Sequence, residues 1–363
     1  MTALTNHFRA RIASAGPISV AEFMATALNH PRYGYYMHGE PFGQRGDFIT
    51  GPEISQMFGE LIGLWCVATW DQMDQPNPLS LVEIGPGRGT LMADALRAIS
   101  GVPRCRSALT LDLVETSPAL CERQRKTLKG MRARWHDRLA QVPAGPFLLI
   151  ANELFDALPV RQFQLTPAGW HERMITVDTR TGDLVFTLAP GPSLVASMSP
   201  LTAMGPPIGS ICQVSTMAIS LADEIARRAV ADNGVALIID YGPETSETGA
   251  SLRAVRDHGV HDPLVDPGTA DLSADVDFML LARTVRAAGA EYHGPVPQGI
   301  FLRTLGIESR AAALTDIASP SQRDDIQSAL DRLVDAEQMG ARFKAFAITR
   351  PSQPPPAGFE GEE

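Results

Sequence analysis

The chain has 363 residues, 44% of them hydrophobic and 20% charged, enough to bury a large core in one elaborated domain or two. Its 31 basic and 41 acidic residues leave a formal net charge of -10, which disfavours general nucleic-acid binding. The four cysteines (Cys66, Cys105, Cys121 and Cys212) have no metal-ligand spacing, no stretch approaches a transmembrane span, and the amino-terminal residues lack an apolar signal core.

Leu4, Phe8 and Ile12 predict a helix over 4–15, and a second is expected over 20–28, with Ser19 and Glu22 in capping-box positions. Residues 31–52 carry three of the five tyrosines and glycines at 34, 39, 43, 46 and 51, which suggests an ordered loop covering a pocket. Within it Gly46, Asp47 and Thr50 combine a permissive turn, an acceptor and a hydroxyl. The apolar stripe Ile54, Phe58, Leu61, Ile62 and Trp65 predicts a helix over 53–70.

Residues 79–99 are the most informative stretch. Leu81, Val82 and Ile84 read as a buried strand, Gly85, Gly87 and Gly89 as a tight turn, and Thr90 to Ile99 as a helix. The G-x-G-x-G spacing is not the full dinucleotide fingerprint, and there is no phosphate-loop lysine; alone it fits either a bare strand-to-helix turn or a cofactor loop. Glu83 is unusual, because a carboxylate in a buried strand is costly unless something pairs with it.

A second strand is expected over 107–114. Glu115 at its end either accepts from a ribose diol or belongs to a turn in which Ser117 caps the helix starting at Pro118. That helix, 118–129, carries a basic face that reads as solvated. Residues 133–139 bring Asp137 to a position that borders an adenine in a doubly wound sheet. The strand 147–151 ends in Asn152, Glu153 and Asp156, polar groups within an apolar run. Glu153 and Asp156, three apart, would converge on one cationic group if a helical turn held them.

Residues 162–189 alternate as a small antiparallel excursion, followed by a Pro- and Gly-rich stretch to 210, a helix over 215–231 and a strand over 235–239 ending in Asp240 and Tyr241. His258 and His261 lack helical zinc spacing, so no metal is expected. A helix running on to residue 288, a final helix over 324–343, the strand FKAFAIT and a disordered tail over 351–363 complete the chain. The expected division is a helical region with its pocket-covering loop over 1–75, a main domain over 76–350 with an insertion at about 162–214, and the tail.

Several blocks in order carry a resemblance: RYGYY at 32–36, GDFITGPEISQMFGE at 46–60, VEIGPGRGTLMAD at 82–94, NELFDALPVRQF at 152–163, IIDYG at 238–242 and QGIFLRTLGI at 298–307. Over roughly residues 5–349 the chain resembles the MidA/NDUFAF7 family of class I S-adenosylmethionine-dependent methyltransferases, and NELFDALP looks like the acidic substrate-arginine loop of protein arginine methyltransferases. The fold this implies is α/β, a class I methyltransferase (Rossmann-like) doubly wound sheet with a helical N-terminal region and inserted β and loop elements.

The cofactor it implies is S-adenosyl-L-methionine. On the resemblance, Glu83, Gly85, Gly87 and Gly89 line its methionine and sugar, Glu115 holds the ribose, Asp137 lies near the adenine, and Gly46 and Thr50 belong to the loop closing over it. Asn152 and Glu153 flank the transferring methyl. Glu153 is the first candidate to hold a substrate guanidinium, with Asp156 and Asp47 behind it. Mitochondrial members of the family act on a core subunit of respiratory complex I, so a protein substrate is implied, with such a subunit as the candidate. A bacterial cytoplasmic setting is expected in preference to the mitochondrial matrix. The competing readings are a noncatalytic cofactor-binding assembly factor and a methyltransferase for another protein or a small molecule. Thr116, where relatives carry a serine turn directly after the acidic residue, is the one departure from the family pattern.

Overall fold

The computed structural model describes residues 2–37 and 50–360. They form two compact units: 2–37 with Phe155–Leu221 and Pro243–Leu281, and 50–154 with Ala222–Gly242 and 282–360. The second unit holds a seven-stranded sheet. Its strands are β1 (Leu79–Ile84), β2 (Leu109–Val114), β3 (Ala133–His136), β4 (Phe147–Asn152), β5 (Gly234–Tyr241), β6 (Glu291–Pro297) and β7 (Phe343–Thr349).

Their spatial order is β6-β7-β5-β4-β1-β2-β3. The pairs β1–β2, β2–β3, β1–β4 and β4–β5 are parallel, whereas β7 runs antiparallel to both β5 and β6. From β1 the chain builds outward through β2 and β3, and from β4 it builds the other way through β5. The boundary between β1 and β4 is therefore the topological switch point, and the carboxyl ends of these two strands border a crevice.

The sheet forms because its central strands are apolar on both faces, and every residue of β5 is buried. The helices Gln56–Gln72 and Thr90–Ile99 cover it, with Phe58, Ile62 and Trp65 of the first joining Leu81, Leu91 and Ile150 in one core. These two helices approach so closely that a Cβ at Gly63 would lie 2.4 Å from the Ala95 carbonyl oxygen, and one at Gly59 would lie 2.6 Å from Asp94 Cβ. The expected helix over 53–70 is instead divided. Ser55 is extended (φ -158°, ψ 143°) and its hydroxyl accepts from Met57 N at 3.2 Å, so Gly51–Ile54 forms a separate short turn of helix.

In the first unit, helices Ala3–Ala15 and Val20–Asn29 pack on strands of the inserted segment, and Leu4, Phe8, Phe23, Met24, Ile175 and Leu272 share their core. Ser19 accepts from Glu22 N at 3.0 Å, but the Glu22 carboxylate pairs with Arg11 at 3.0 Å, so only half of the expected capping box forms. The antiparallel excursion comprises Arg161–Thr166, Gly169–Val177, Leu184–Pro192 and Ile211–Val214. Residues 2–37 thus share a unit with segments distant in sequence, and the helix Gln56–Gln72 belongs with the sheet, which differs from a cut at residue 75.

Two carboxy-terminal expectations need correction. The helix expected over 324–343 runs over Pro320–Val334, with a full capping box between Ser319 and Gln322, and is followed by a separate short turn of helix, Met339–Arg342. Residues 351–360 are packed and not a disordered tail: Phe359 is 1% exposed, with its ring centroid 5.3 Å from that of Phe301. One buried aromatic ring supplies enough apolar area to anchor a segment that is otherwise proline-rich. Substituting Gly63→Ala should force the two covering helices apart and destabilise the protein by about 1–3 kcal/mol, measured as a lowered urea midpoint at unchanged m-value.

Candidate functional site

The site is built at the carboxyl ends of β1, β2, β4 and β5. After β1 the chain turns through three glycines with positive φ: Gly85 (68°), Gly87 (51°) and Gly89 (80°). A side chain at Gly85 would also collide, its Cβ lying 2.8 Å from Leu154 Cδ1. The turn is anchored where Gly85 N donates to the Val114 carbonyl at 3.0 Å, and Gly89 starts the following helix. Glycine is required here by backbone conformation and by close approach together.

Glu83 is 3% exposed on β1, and its Oε2 is buried without a hydrogen-bond partner among the described residues. Burial, reinforced by the charge of Glu115, pushes its carboxyl up to about 8. Glu115 follows β2. Burial raises its carboxyl as well, opposed by hydrogen bonds from Ser117 N at 2.8 Å and Gln124 Nε2 at 3.1 Å. Of the two readings of this position, the turn is the one seen: Ser117 caps the helix Pro118–Thr127.

At the end of β4, Asn152 Nδ2 donates to Glu153 Oε1 at 3.2 Å, while Asn152 Oδ1 is buried and unpartnered among the described residues. Glu153 is a non-glycine residue at φ 49°. This left-handed conformation is strained and persists where the surroundings over-determine it. Here Glu153 N donates to the Ile239 carbonyl at 2.8 Å, and Glu153 Oε1 accepts from Gly51 N at 2.7 Å. The next amide, Leu154 N, donates to Asp240 Oδ2 at 3.1 Å, and Tyr241 N donates to Asp240 Oδ1 at 2.9 Å. Asp240 is fully buried at the end of β5.

The remaining expected residues are placed as follows. Thr50 is half-buried and precedes the turn Gly51–Ile54, its carbonyl accepting from Glu53 N at 2.9 Å. Asp137 is exposed after β3, and its backbone N donates to Gln141 Oε1 at 2.8 Å. Asp156 belongs to the other unit, where its carbonyl accepts from Ala274 N at 2.9 Å. Residues 153–160 form turns and no helix, so the helical i,i+3 relation expected between Glu153 and Asp156 does not exist; a left-handed Glu153 breaks the helical path at its first residue. Gly46 and Asp47 lie outside the described residues, as does most of the expected covering loop. Of its described part, Tyr35 is buried, and Tyr36 OH donates to Asp271 Oδ1 at 2.8 Å.

Two contributors escaped sequence reasoning. Glu53 accepts from Thr90 Oγ1 at 2.6 Å and pairs with Arg88 at 3.2 Å, tying the Gly51–Ile54 turn to the glycine turn. Gln124 contacts both the glycine turn and Glu115. Its sequence signal was available: it lies four residues from both Leu120 and Leu128, a polar residue on the helix face meant for burial.

A mainly parallel sheet with a glycine turn and orphaned polar atoms at its switch point has the architecture of a class I methyltransferase. The buried acceptors Glu83 Oε2 and Asn152 Oδ1, beside a turn with no room for a side chain, fit a cationic nucleoside cofactor. The comparisons agree. A family model (Methyltransf_28) described as "Putative S-adenosyl-L-methionine-dependent methyltransferase" matches residues 61–296. A Drosophila melanogaster protein named protein arginine methyltransferase NDUFAF7 homolog, mitochondrial, is 40% identical over 375 residues, 95% of this chain and 84% of the relative. The Homo sapiens protein arginine methyltransferase NDUFAF7, mitochondrial, is 37% identical over 374 residues, 96% of this chain and 83% of the relative. The crystal structure of a COG1565 superfamily member from Burkholderia thailandensis bound to S-adenosyl-homocysteine superposes with a TM-score of 0.84 at 29% identity, covering 99% of this chain and 93% of that one.

The chain belongs to the MidA/NDUFAF7 family of S-adenosylmethionine-dependent methyltransferases, and S-adenosyl-L-methionine is its cofactor. One expectation is overturned: the curated relatives are mitochondrial proteins, against the bacterial cytoplasmic setting expected above. Composition and core patterning answer to folding and carry no compartment address. No helix among the described residues is long and apolar enough to cross a membrane.

Burial gives Glu83 a pH signature in the cofactor-free protein. Its folded-state value of about 8 lies above the ordinary carboxylate value near ~4.3, so the stability it favours is complete below the lower value and is lost as pH rises through the higher one. Between these limits the difference in unfolding free energy between wild type and Glu83→Gln should change by about 1.4 kcal/mol per pH unit, in favour of the variant as pH rises. Urea denaturation from pH 5 to pH 8 measures it.

Proposed function

We propose that the chain is a protein arginine N-methyltransferase in which Glu153 holds the substrate guanidinium, with a respiratory complex I core subunit as the candidate substrate. The observation that carries this reading is the strained, multiply anchored Glu153 at the end of β4, its carboxylate oriented by Gly51 N and Asn152. The arginine chemistry is that named for relatives at 37–40% identity.

When bound, S-adenosylmethionine supplies a methyl group on a positively charged sulfur. The protein's task is to align the nitrogen with that methyl and exclude water. Glu83 meets the cofactor's positive charge with its otherwise unpaired oxygen, and the glycine turn admits the cofactor against backbone. Glu115 accepts from the ribose hydroxyls, Asn152 faces the reacting centre, and Asp137 and Thr50 are outer contacts. Glu153 accepts two parallel hydrogen bonds from the guanidinium and draws positive charge away from the attacking nitrogen. The nitrogen sheds its proton to the Glu153 carboxylate only after it has taken the methyl, because arginine is very hard to deprotonate beforehand.

The test is incubation with labelled S-adenosylmethionine and lysate containing the native partner, with the label located by mass spectrometry. Wild type should label arginine, and Glu153→Gln should label at least about a hundredfold less, while its cofactor affinity changes less than about threefold. Equal labelling by the variant removes Glu153 from this role; no labelled arginine with wild type favours the noncatalytic assembly factor. Independently, cofactor binding at pH 7 should release close to one proton, since a cation beside Glu83 restores its ionised form. Calorimetry in two buffers of different ionisation enthalpy measures this, and Glu83→Gln should abolish it.

A further inference from the structure

Gln124 is 0% exposed on the helix Pro118–Thr127. Its Nε2 donates to the Gly87 carbonyl at 2.9 Å and to Glu115 Oε2 at 3.1 Å, and its Oε1 accepts from Trp135 Nε1 at 2.9 Å. Both amide protons and the amide oxygen are engaged. The orientation is unique, because a flipped amide would set its NH2 against the indole N–H and its oxygen against a carbonyl and a carboxylate. The helix also touches the turn next to it: a Cβ at Gly89 would make ordinary contact with Gln124 Cα, at 3.6 Å. Glu115 Oε1 is meanwhile held by Ser117 N at 2.8 Å, so each carboxylate oxygen has one fixed donor and the group cannot rotate freely.

We infer that Gln124 is a positioning residue for the cofactor: it locks the glycine turn and the Glu115 carboxylate into one rigid surface that reads the ribose hydroxyls. This rests on the reading of Glu115 as the ribose-binding group. Trp135 completes the lock from β3, with the Arg125 guanidinium over its ring, 4.7 Å from the centroid. A glutamate at position 124 would lack the two protons that the lock requires, and a methionine would fill the volume with no hydrogen bonds.

The experiment compares binding of S-adenosyl-homocysteine and its 2′,3′-dideoxy analogue to full-length wild type, Glu115→Gln, Gln124→Met and Trp135→Phe by calorimetry. Wild type should prefer the intact ribose by about tenfold or more, and Glu115→Gln should lose most of that preference. Gln124→Met should weaken S-adenosyl-homocysteine binding about tenfold while weakening the analogue much less, so that the preference falls toward unity. Trp135→Phe removes only the indole donor, keeps a ring beneath Arg125 and should give a partial loss; it carries the test where Gln124→Met does not fold. A merely structural Gln124 would weaken both ligands equally and leave the preference intact, which overturns the inference. A wild type without ribose preference, or Glu115→Gln that retains it, shows instead that the reading of Glu115 has failed.

Discussion

The parallel pairing of β1 with β4 is the constraint on which the rest of the sheet unit depends. Val82 faces Leu149 and Glu83 faces Ile150 across this pair. The chain leaves β1 toward one edge and β4 toward the other, so neither strand's own connection crosses their shared carboxyl end. Everything polar gathers there. The glycine turn comes off β1, Asn152 and Glu153 off β4, Glu115 off the neighbour on one side and Asp240 off the neighbour on the other. The core beneath is apolar, and the helices at Gly59 and Gly63 pack too closely to admit water or a side chain.

That gathering leaves an electrostatic imbalance. Glu83 is buried and Glu115 half-buried, and the charge of Glu115 adds to the cost that burial sets on ionising Glu83. Glu115 has local donors that recover part of the cost, whereas Glu83 Oε2 has none among the described residues. An unpaired carboxyl in a strand reduces stability, and a fold keeps one where a ligand supplies the missing partner. The family's cofactor is a cation, so on the proposed reading the group that destabilises the empty protein is one that gains a partner when the cofactor arrives.

What could be read from the sequence follows the range of the forces involved. The strand, turn and helix of 79–99 were legible because burial period and glycine spacing are local, and Glu83 stood out against an apolar run. The family blocks made the fold class and the cofactor readable as well. Ser55 was not legible as a helix break, since a serine amid apolar residues is compatible with a helix interior and caps only once its backbone is extended. The left-handed Glu153 was hidden because nothing but tertiary hydrogen bonds holds a non-glycine residue there. Membership of the two units was illegible for the same reason: residues 2–37 meet strands more than a hundred residues away. The tail misled because a composition rich in proline outweighed one well-placed Phe359.

Three adjacent strands, β1, β4 and β5, each end in a carboxylate, and their surroundings differ in a way that separates their uses. Asp240 gives an oxygen to Leu154 N and the other to Tyr241 N, so its charge serves backbone geometry. Without that acceptor the amide following Glu153 would be buried unpaired in a turn that already carries strain. Glu153 is thereby held at one φ, with one oxygen directed by Gly51 N and Asn152. Glu83 keeps an oxygen that no group of the described chain satisfies. A buried carboxylate spent on the backbone makes the second rigid, and the third holds its proton in the empty protein, so the three need not carry charge of one sign together. On the proposed reading the rigidity of Glu153 is the costliest of these features, since a guanidinium bound by two hydrogen bonds tolerates little rotation of its acceptor before the attacking nitrogen leaves the line of transfer.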